Sequence, residues 1–276
     1  MDARLQLRVQ RYGWDRAAPS YELAWEQALE PATAAVLNAA KLRPGERVLD
    51  VACGSGLLTR AAWHAVASKG GEVVGTDISG LMLAEAAGRS PDCRFVRADA
   101  QNLDEFVPVG HFDAVLCGLG LMYMPDPEAA LSTMARCLRP GGRMVVSVWG
   151  ERRACGWAEI FPIVDSRVRS EVCPMFFRVG PGNALEEALL AAGLVDVQLS
   201  HPATTIHYAD AEAACDAAFL SGPVALAYSR FDEATRLSVR AEYLASLEPW
   251  RHGERFEIPG TFVIGSGQRP EAAVAA

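Results

Sequence analysis

The chain has 276 residues, of which 50% are hydrophobic and 22% are charged, so it can bury a sizeable core as an ordinary globular protein. Its 34 acidic and 26 basic residues give a net charge of −8, which repels polyanions and predicts no nucleic-acid partner. No run approaches the roughly 20 apolar residues of a membrane span, and the first residues, MDARLQLRVQRYGW, lack the apolar segment of a secretion signal.

The seven cysteines predict a reducing compartment. Their number is odd, they form no CxxC pair, and several lie in apolar runs typical of core strands. Reduced thiols explain this pattern better than disulfides do, because disulfides persist mainly in oxidising compartments. We therefore expect a soluble cytoplasmic protein, either a monomer or a homodimer.

The first 150 residues predict a parallel sheet. Residues 20–41 have a helical pattern in which Pro31 either breaks the helix or opens a second one. Five apolar runs rich in β-branched residues then alternate with segments of helical spacing, and near-continuous apolar strands of this kind indicate a sheet covered on both faces. The runs are RVLDV (47–51), EVVGTD (72–77), RFVRAD (94–99), FDAVLCG (112–118) and RMVVSVW (143–149), the last preceded by a helix-ending turn, RPGG (139–142).

The pattern changes after Trp149. Residues 150–181 have no clean period, and a helix is predicted next, over 183–193. The remaining predicted elements are a sixth strand in VDVQLSHPATTIHYA, helices over 210–221 and 232–247, a last strand in FEIPGTFVIGSG, and a frayed tail.

The turn after the first strand, VACGSGLLT, is the feature that most narrows the ligand. A dinucleotide site uses G-x-G-x-x-G, but here Thr59 stands at the third position after Gly54 and Gly56. Asp50 at the strand end would repel a pyrophosphate, whereas a carboxylate there suits a ligand with an ammonium or sulfonium group. Both features count against a nicotinamide dinucleotide.

Two further aspartates follow the next two strands. Asp77 can accept hydrogen bonds from both hydroxyls of a ribose, and Asp99 can lie at the edge of an adenine. The carboxyl ends of the strands are where such folds bind ligands, so three carboxylates there predict a cleft for a positively charged adenosine compound without phosphate.

These motifs resemble those of the class I S-adenosylmethionine-dependent methyltransferases, specifically the small-molecule branch that includes the ubiquinone/menaquinone C-methyltransferases. The resemblance covers residues 12–150 and is carried, in order, by VLDVACGSG, VVGTDIS, ADAQNL, FDAVLCGLGLMYMPD and LRPGGRMVVSVW. It implies an α/β, Rossmann-like, mostly parallel sheet of seven strands in the order 3-2-1-4-5-7-6, with an antiparallel last strand, N-terminal helices and a lid insertion after strand five. It also implies S-adenosyl-L-methionine as cofactor and S-adenosyl-L-homocysteine as product.

The resemblance divides the chain into five parts. They are an N-terminal helical lid segment (1–41), an S-adenosylmethionine-binding core (42–150), a substrate lid insertion (151–181), a C-terminal completion of the sheet with inserted helices (182–268) and a flexible tail (269–276).

The resemblance also assigns roles to residues of the cofactor site. Those implied to contact the cofactor are Tyr21, Asp50, Ala52, Gly54, Gly56, Asp77, Ile78, Met82, Asp99, Ala100 and Cys117. Several have a purely structural interpretation as well. A strand-end aspartate can cap the next helix, Ile78 and Met82 can be core residues of one helix face, and Cys117 can be a small buried hydrophobe.

The acceptor side is less defined. The predicted substrate-binding residues are Tyr21, Trp149, Trp157, Phe176 and Phe177, where the aromatic group after strand five either lines a pocket or forms a satellite core of its own. No catalytic residue is assigned; the candidates are Tyr21 together with His201 and His207, which are considered as bases with a structural role as the alternative. Neither H-x-x-x-H nor H-E-x-x-H occurs, so no dedicated metal site is expected.

The sequence therefore predicts methyl transfer by in-line displacement to a small molecule, with an apolar or aromatic portion. Two alternatives stay open. One is a partner protein that binds the cofactor without catalysis, and the other is a thiol or metalloid methyltransferase that uses Cys155, Cys173 and Cys215.

Overall fold

The computed structural model describes residues 3–168 and 176–271. Within these ranges nine strands form one sheet. They are β1 (Arg47–Val51), β2 (Glu72–Asp77), β3 (Arg94–Arg97), β4 (Phe112–Gly118), β5 (Leu138–Trp149), β6 (Val195–Ser200), β7 (Ala203–Tyr208), β8 (Arg251–His252) and β9 (Arg255–Gln268).

The same ranges contain nine α-helices. They are α1 (Ala3–Ala40), α2 (Leu57–Val66), α3 (Gly80–Arg89), α4 (Pro127–Cys137), α5 (Ile160–Asp165), α6 (Ala184–Ala191), α7 (Ala211–Leu220), α8 (Ala225–Ser229) and α9 (Glu233–Leu247). None of the helices in the described ranges is both long enough and apolar enough to span a bilayer.

The sheet has the order β3-β2-β1-β4-β5-β9-β6. Because β9 corresponds to the seventh predicted strand, this order confirms the predicted arrangement 3-2-1-4-5-7-6. Strands β1 to β5 pair in parallel, and β9 runs antiparallel to both β5 and β6. The central strands are buried on both faces, and Leu49 and Leu116 are completely buried. Burial on both faces is why these strands are near-continuous apolar runs rather than alternating ones.

The predicted sixth strand is two strands. Residues 195–200 and 203–208 form β6 and β7, and the interruption falls at His201 and Pro202. Both strands pair with β9, whose C-terminal half lies between β5 and β6 and whose N-terminal half pairs with β7 and β8. A proline lacks the N–H that a ladder needs, which accounts for the break and for one of the two strands beyond the seven expected. The other is the short strand β8, which pairs with β9.

Two smaller predictions also change. RPGG does not separate α4 from a later strand, because β5 already begins at Leu138 and the four residues form an irregularity in its pairing with β4. The third strand ends at Arg97 rather than at Asp99, which instead caps a 3₁₀-helix over Ala100–Glu105.

The N-terminal helix is longer than the sequence predicts, and Pro31 does not break it. α1 runs without interruption through Pro19 and Pro31. It contacts α2, α3, α7 and α8, and Leu29, Ala32 and Val36 are buried in the main core. Packing along most of its length offsets the hydrogen bonds that the two prolines remove. As a result α1 lies over the carboxyl ends of the strands.

The division of the chain into five parts, from the N-terminal lid segment to the C-terminal tail, stays a prediction.

Candidate functional site

Three neighbouring cavities lie where the carboxyl ends of β1, β2 and β4 meet α1. The first encloses about 750 Å³, the second about 490 Å³ and the third about 420 Å³, each counted with its open mouth. Tyr21 and Leu119 line all three. The cavities therefore converge on one point between α1 and the loop that follows β4.

Asp77 is a buried polar group of the first cavity that the backbone holds in place. Its side chain accepts hydrogen bonds from the backbone N–H of Gly54 at 2.9 Å and of Ser79 at 2.8 Å. Burial raises the pKa of this carboxyl, and the two backbone donors oppose the rise. A carboxylate has about four lone-pair sites, so Asp77 keeps acceptor capacity for a ligand.

The rest of the first cavity has an apolar face and a polar edge. Ile78 and Met82 form part of its wall, and Met82 is only 2% exposed. Asp99 and Ala100 lie in the same wall, where Asp99 accepts hydrogen bonds from the backbone and the side chain of Gln101. The structure thus brings these four predicted residues together with Asp77.

The two glycines of the turn have different surroundings. Gly54 lines the first and second cavities at φ +55°, and a Cβ atom there would meet nothing within 4 Å. Gly56 lines neither cavity. It precedes α2 at φ +89°, and a Cβ atom there would lie 3.1 Å from the Cβ of Ala86. Gly56 therefore allows α2 to approach α3, rather than facing the ligand space as predicted.

The second cavity contains Asp50, which is 1% exposed. One of its oxygens, Oδ2, accepts a hydrogen bond of 2.6 Å from the hydroxyl of Thr59. Burial raises the pKa of Asp50 to about 7, the Thr59 hydrogen bond lowers it, and the nearby Asp77 raises it further. Ala52 lines both this cavity and the first one.

Tyr21 projects from α1 to the junction of the cavities. Its ring lies 5.8 Å from that of Trp14 in an edge-to-face arrangement. Burial, then the charges of Asp77 and Glu22, raises the pKa of its hydroxyl, so the phenol keeps its proton at neutral pH. Tyr21 can therefore donate a hydrogen bond there but cannot serve as a base.

The third cavity is mostly aromatic. Its wall includes Trp149, Trp157 and Phe176, as predicted, together with residues from α1, the loop after β4 and the segment after α7. Phe177 lies outside this wall, with its ring 4.8 Å from that of Phe176. The other members of the wall are Trp14, Tyr21, Trp25, Leu29, Leu119, Met122, Tyr123, Ser221, Gly222 and Pro223. The aromatic group is thus both a packed cluster and a cavity wall.

Sequence reasoning missed the loop over residues 118–120. Leu119 adopts φ +55°, a left-handed conformation that a side chain rarely takes, and its N–H donates to the backbone and side-chain oxygens of Ser147. Gly118 and Gly120 line the first cavity on either side of it. The only indication of this loop in the sequence is GLG, in which two glycines follow a buried strand.

Several predicted residues lie away from the cavities. Cys117 is completely buried and lines none of the three. His201 and His207 are exposed near and on β7 and line none of them either, so their candidacy as bases in the cleft is wrong. The alternation of β7 turns Ile206 and Tyr208 inward instead.

The thiol hypothesis loses its support. Cys155 and Cys215 are buried outside the three cavities, and burial raises the pKa of each thiol to about 11. Cys173 lies outside the described residues. The cysteines within them are free, and those residues contain no group of three or more His, Cys, Asp or Glu side chains that could hold a metal ion.

Comparison with known proteins identifies the family. The family described as "Methyltransferase domain" matches residues 48–142. The chain is 31% identical over 222 residues to nocamycin O-methyltransferase of Saccharothrix syringae, covering 72% of this chain and 77% of that protein. The chain belongs to the class I S-adenosylmethionine-dependent methyltransferases. The cofactor is accordingly S-adenosyl-L-methionine.

One further relative and one solved structure are similar to this chain. The chain is 46% identical over 113 residues to the demethylmenaquinone methyltransferase of Beutenbergia cavernae, covering 41% of this chain and 45% of that protein. The match thus spans less than half of that relative. The phosphoethanolamine N-methyltransferase 2 of Haemonchus contortus, solved with S-adenosyl-L-methionine, has the same fold at 17% identity, with a TM-score of 0.59 over 93% of this chain and 57% of that one.

Proposed function

We propose that this protein transfers the methyl group of S-adenosylmethionine to a small molecule whose reacting portion is apolar or aromatic. The observation that carries the proposal is the convergence of three cavities on Tyr21 and Leu119. Two of the cavities suit the two ends of the cofactor, and the third suits an acceptor. The reaction would then take place where the three meet.

The first cavity is assigned to the adenosine part. Asp77 would accept hydrogen bonds from the ribose hydroxyls, because its carboxylate has spare lone pairs after binding Gly54 and Ser79. Ile78 and Met82 would contact the adenine, with Asp99 and Ala100 at its edge. The open space at Gly54 and the wall made by Ala52 supply room for the ligand.

The second cavity is assigned to the methionyl part. A buried carboxylate would stabilise the positive charges of the cofactor, and Asp50 is such a group. Its carboxyl and Asp77 together give this side of the site a negative character. A nucleotide pyrophosphate would be repelled here, which fits the prediction against a dinucleotide.

The third cavity is assigned to the acceptor. Rings of tryptophan, tyrosine and phenylalanine offer apolar surface and edge-to-face contacts to another ring. Two relatives carry names that refer to demethylmenaquinone and to nocamycin as molecules that are methylated. They support a small organic acceptor but do not identify it.

S-adenosylmethionine supplies an electrophilic methyl group on a positively charged sulfur. The main task of the protein is then alignment, and well-oriented reactants reach effective molarities of about 10⁵–10⁸ M. The third cavity would hold the acceptor on the far side of Tyr21 and Leu119 from the adenosine site. Tyr21, which keeps its proton, would donate a hydrogen bond at this junction rather than remove a proton.

The proposal is tested by following radiolabelled methyl from S-adenosylmethionine into a whole-cell extract, separated into small-molecule, protein and nucleic-acid fractions. We expect label in the small-molecule fraction, and none with an Asp77→Ala variant. Label in protein or nucleic acid would overturn the acceptor class. No label from a protein that binds S-adenosylhomocysteine, across extracts from several growth conditions, would favour a non-catalytic binding partner.

The cytoplasmic location, the absence of a nucleic-acid partner and the choice between monomer and homodimer stay predictions. The free thiols of the described residues support a reducing compartment.

A further inference from the structure

The wall of the third cavity contains a buried hydrogen-bond donor without a partner among the residues that the structure describes. The donor is Nε1 of Trp157, a residue that is only 7% exposed. A buried tryptophan N–H usually has a partner, because leaving it without one costs free energy. A ligand atom that accepts a hydrogen bond from Trp157 would remove this cost.

The side chains around Trp157 explain why its donor is left over. Four ring centroids lie 5.0–6.0 Å from that of Trp157, namely those of Trp149, Phe161, Phe176 and Phe177. Phenylalanine has no side-chain acceptor, and an indole N–H only donates. These rings can therefore pack against the indole, but they offer its N–H no lone pair.

The backbone holds Trp157 in this place. Gly156 donates its N–H to the carbonyl of Pro259 on β9 at 2.9 Å, and the carbonyl of Trp157 accepts from the N–H of Ile160 at 3.3 Å. A Cβ atom at Gly156 would lie 2.8 Å from the ring of Trp250, so the segment packs closely against its neighbours. The indole is thus held among other rings on a segment that is itself fixed to the sheet.

The wall of the third cavity is uncharged. None of the described residues that line it is an aspartate, glutamate, lysine, arginine or histidine. Burial raises the pKa of the Tyr21 hydroxyl, so this phenol is neutral as well. A charged group placed here would lose its hydration without gaining an opposite charge. The cavity therefore suits an uncharged portion of the acceptor.

The donor also decides between two ligands that an aromatic wall could hold. Cations interact favourably with the faces of aromatic rings. The hydrogen of an indole N–H carries partial positive charge, however, so a cation would be repelled by it and would leave it without a partner. A neutral oxygen both satisfies this N–H and tolerates the apolar surroundings.

The position of Trp157 separates this oxygen from the reacting atom. Tyr21 and Leu119 line all three cavities, and methyl transfer is assigned to that junction. Of these three cavities, Trp157 lines only the third. An acceptor that reaches both places therefore needs a reactive atom at the junction and a second functional group at Trp157.

We propose that Trp157 is a specificity-determining residue whose indole N–H donates to an uncharged oxygen of the acceptor, such as a carbonyl, at a position other than the methylated atom. This assignment rests on the proposed function, in which the third cavity holds the acceptor. It narrows the acceptor to a neutral compound that combines an apolar or aromatic portion with a hydrogen-bond-accepting oxygen.

The experiment compares two probes of nearly the same shape. Acetophenone has a carbonyl oxygen where α-methylstyrene has a methylene group. Each is titrated into the protein saturated with S-adenosylhomocysteine, and the Kd is measured by NMR. Trp157→Phe removes the N–H and keeps an aromatic ring. The ratio of the α-methylstyrene Kd to the acetophenone Kd should fall about fivefold in this variant, because both probes meet the same change in packing but only the ketone loses a hydrogen bond.

Trp25→Phe is the matched control. Trp25 lines the same cavity, but its Nε1 already donates to the backbone carbonyl of Ser221 at 3.0 Å. The same substitution at Trp25 removes an N–H that is not available to a ligand. It should leave the ratio of the two Kd values unchanged, even where both values rise.

A second measurement uses the wild-type protein alone. The chain has six tryptophans, and each indole N–H gives a separate signal in a proton–nitrogen correlation spectrum. The Trp157 signal is assigned from its nuclear Overhauser effects to the surrounding phenylalanine rings. It should move downfield with acetophenone and much less with α-methylstyrene, because a hydrogen bond to oxygen deshields the proton.

Three results separate the failures. If both probes bind, the Kd ratio is the same in Trp157→Phe as in the wild type and the Trp157 signal moves equally with both, this inference fails while the acceptor cavity stands. If phenyltrimethylammonium binds the wild type more tightly than acetophenone does, the cavity takes a cation and this inference is overturned. If neither acetophenone nor α-methylstyrene binds, the third cavity is not the acceptor site, and that part of the proposed function fails together with this inference.

Discussion

The cofactor side and the acceptor side of the site are built by different means. The first two cavities are made largely from residues at the ends of β1, β2, β3 and β4 and in the turns that follow them. The third cavity takes its wall from α1, from the loop after β4, from residues beyond β5 and from the segment after α7. The cofactor side thus depends mainly on one sheet edge that α1 covers, whereas the acceptor side depends on segments far apart in the sequence.

The two sides also differ in chemistry. The cofactor side holds buried carboxylates, Asp50 and Asp77, each with a hydrogen-bonded oxygen. Its ligand is recognised by charge and by directed hydrogen bonds. The acceptor side offers aromatic surface, which recognises shape and apolar area. We therefore expect substitutions on the first side to act on cofactor affinity and those on the second to act on the acceptor.

The largest effect is expected for Asp77→Asn. The amide would present a donor to the backbone N–H of Gly54 or Ser79, and it would lose the charge available to the ribose hydroxyls. We expect the Kd for S-adenosylhomocysteine to rise about a hundredfold, equivalent to about 2.7 kcal/mol. Isothermal titration calorimetry measures it directly.

Asp113→Asn is the control for this prediction. Asp113 lies on β4, pairs with Arg47 on β1 and Arg139 on β5, and lines none of the three cavities. Its loss should lower the melting temperature and leave the Kd unchanged. If both variants weaken binding equally, the loss follows general destabilisation and the adenosine assignment is not supported.

An intermediate effect is expected for Trp149→Ala on the acceptor side. Trp149 is 4% exposed in the wall of the third cavity, so its removal should raise the acceptor KM about tenfold and change the cofactor Kd less than twofold. The measurement is steady-state kinetics with the acceptor identified from the labelled extract. Truncation of a buried aromatic residue costs about 3–5 kcal/mol of stability, so the melting temperature must be followed in parallel.

Phe177→Ala sharpens the same comparison. Phe177 is half-buried and contacts the aromatic cluster from outside the cavity wall, so we expect it to change the acceptor KM less than Trp149→Ala does. Equal increases of acceptor KM and cofactor Kd in Trp149→Ala would contradict the division of the site into two sides.

The same division explains what the sequence could predict. Asp50, Gly54, Asp77 and Asp99 follow or end strands whose apolar runs are visible in the sequence, so their meeting at one edge of the sheet follows from the parallel arrangement. Leu119 was missed because its backbone conformation depends on hydrogen bonds to Ser147, a distant residue on β5.

The acceptor side was only partly predictable for a related reason. Trp14 and Trp25 lie on α1 and contribute to the wall of the third cavity. The local sequence predicts a break at Pro31, so the continuity of this helix can be inferred only from its tertiary contacts. His201 and His207 were expected to reach the cleft because the segment that contains them was predicted as one long strand. The structure divides this segment into β6 and β7, and β7 pairs with the N-terminal half of β9. Their exposure depends on that pairing and not on the local pattern.

The smallest effect is expected where α1 is attached to the cofactor side. Glu22 pairs with Arg60 on α2 at 3.2 Å and with Arg89 on α3 at 3.3 Å, next to Tyr21 in the sequence. Partly exposed pairs of this kind contribute about 1 kcal/mol or less each. Because α1 forms walls of all three cavities, Glu22→Gln should loosen the cover over the cofactor more than it destabilises the fold. We expect S-adenosylhomocysteine to dissociate about two to five times faster in a stopped-flow measurement, with a small change in melting temperature.

Glu26→Gln separates this effect from a general loss of charge. Among the described residues Glu26 pairs only with Arg60, and its side chain is 59% exposed. Exposed pairs are screened by solvent, so its loss should leave the dissociation rate nearly unchanged. Added salt should narrow the difference between wild type and Glu22→Gln, because it screens the pairs that the variant lacks. A lower melting temperature with an unchanged dissociation rate would mean that Glu22 stabilises the fold and that α1 does not control release of the cofactor product. In that case α1 would contribute to the walls of both sides of the site, but its movement would not control release from the cofactor side.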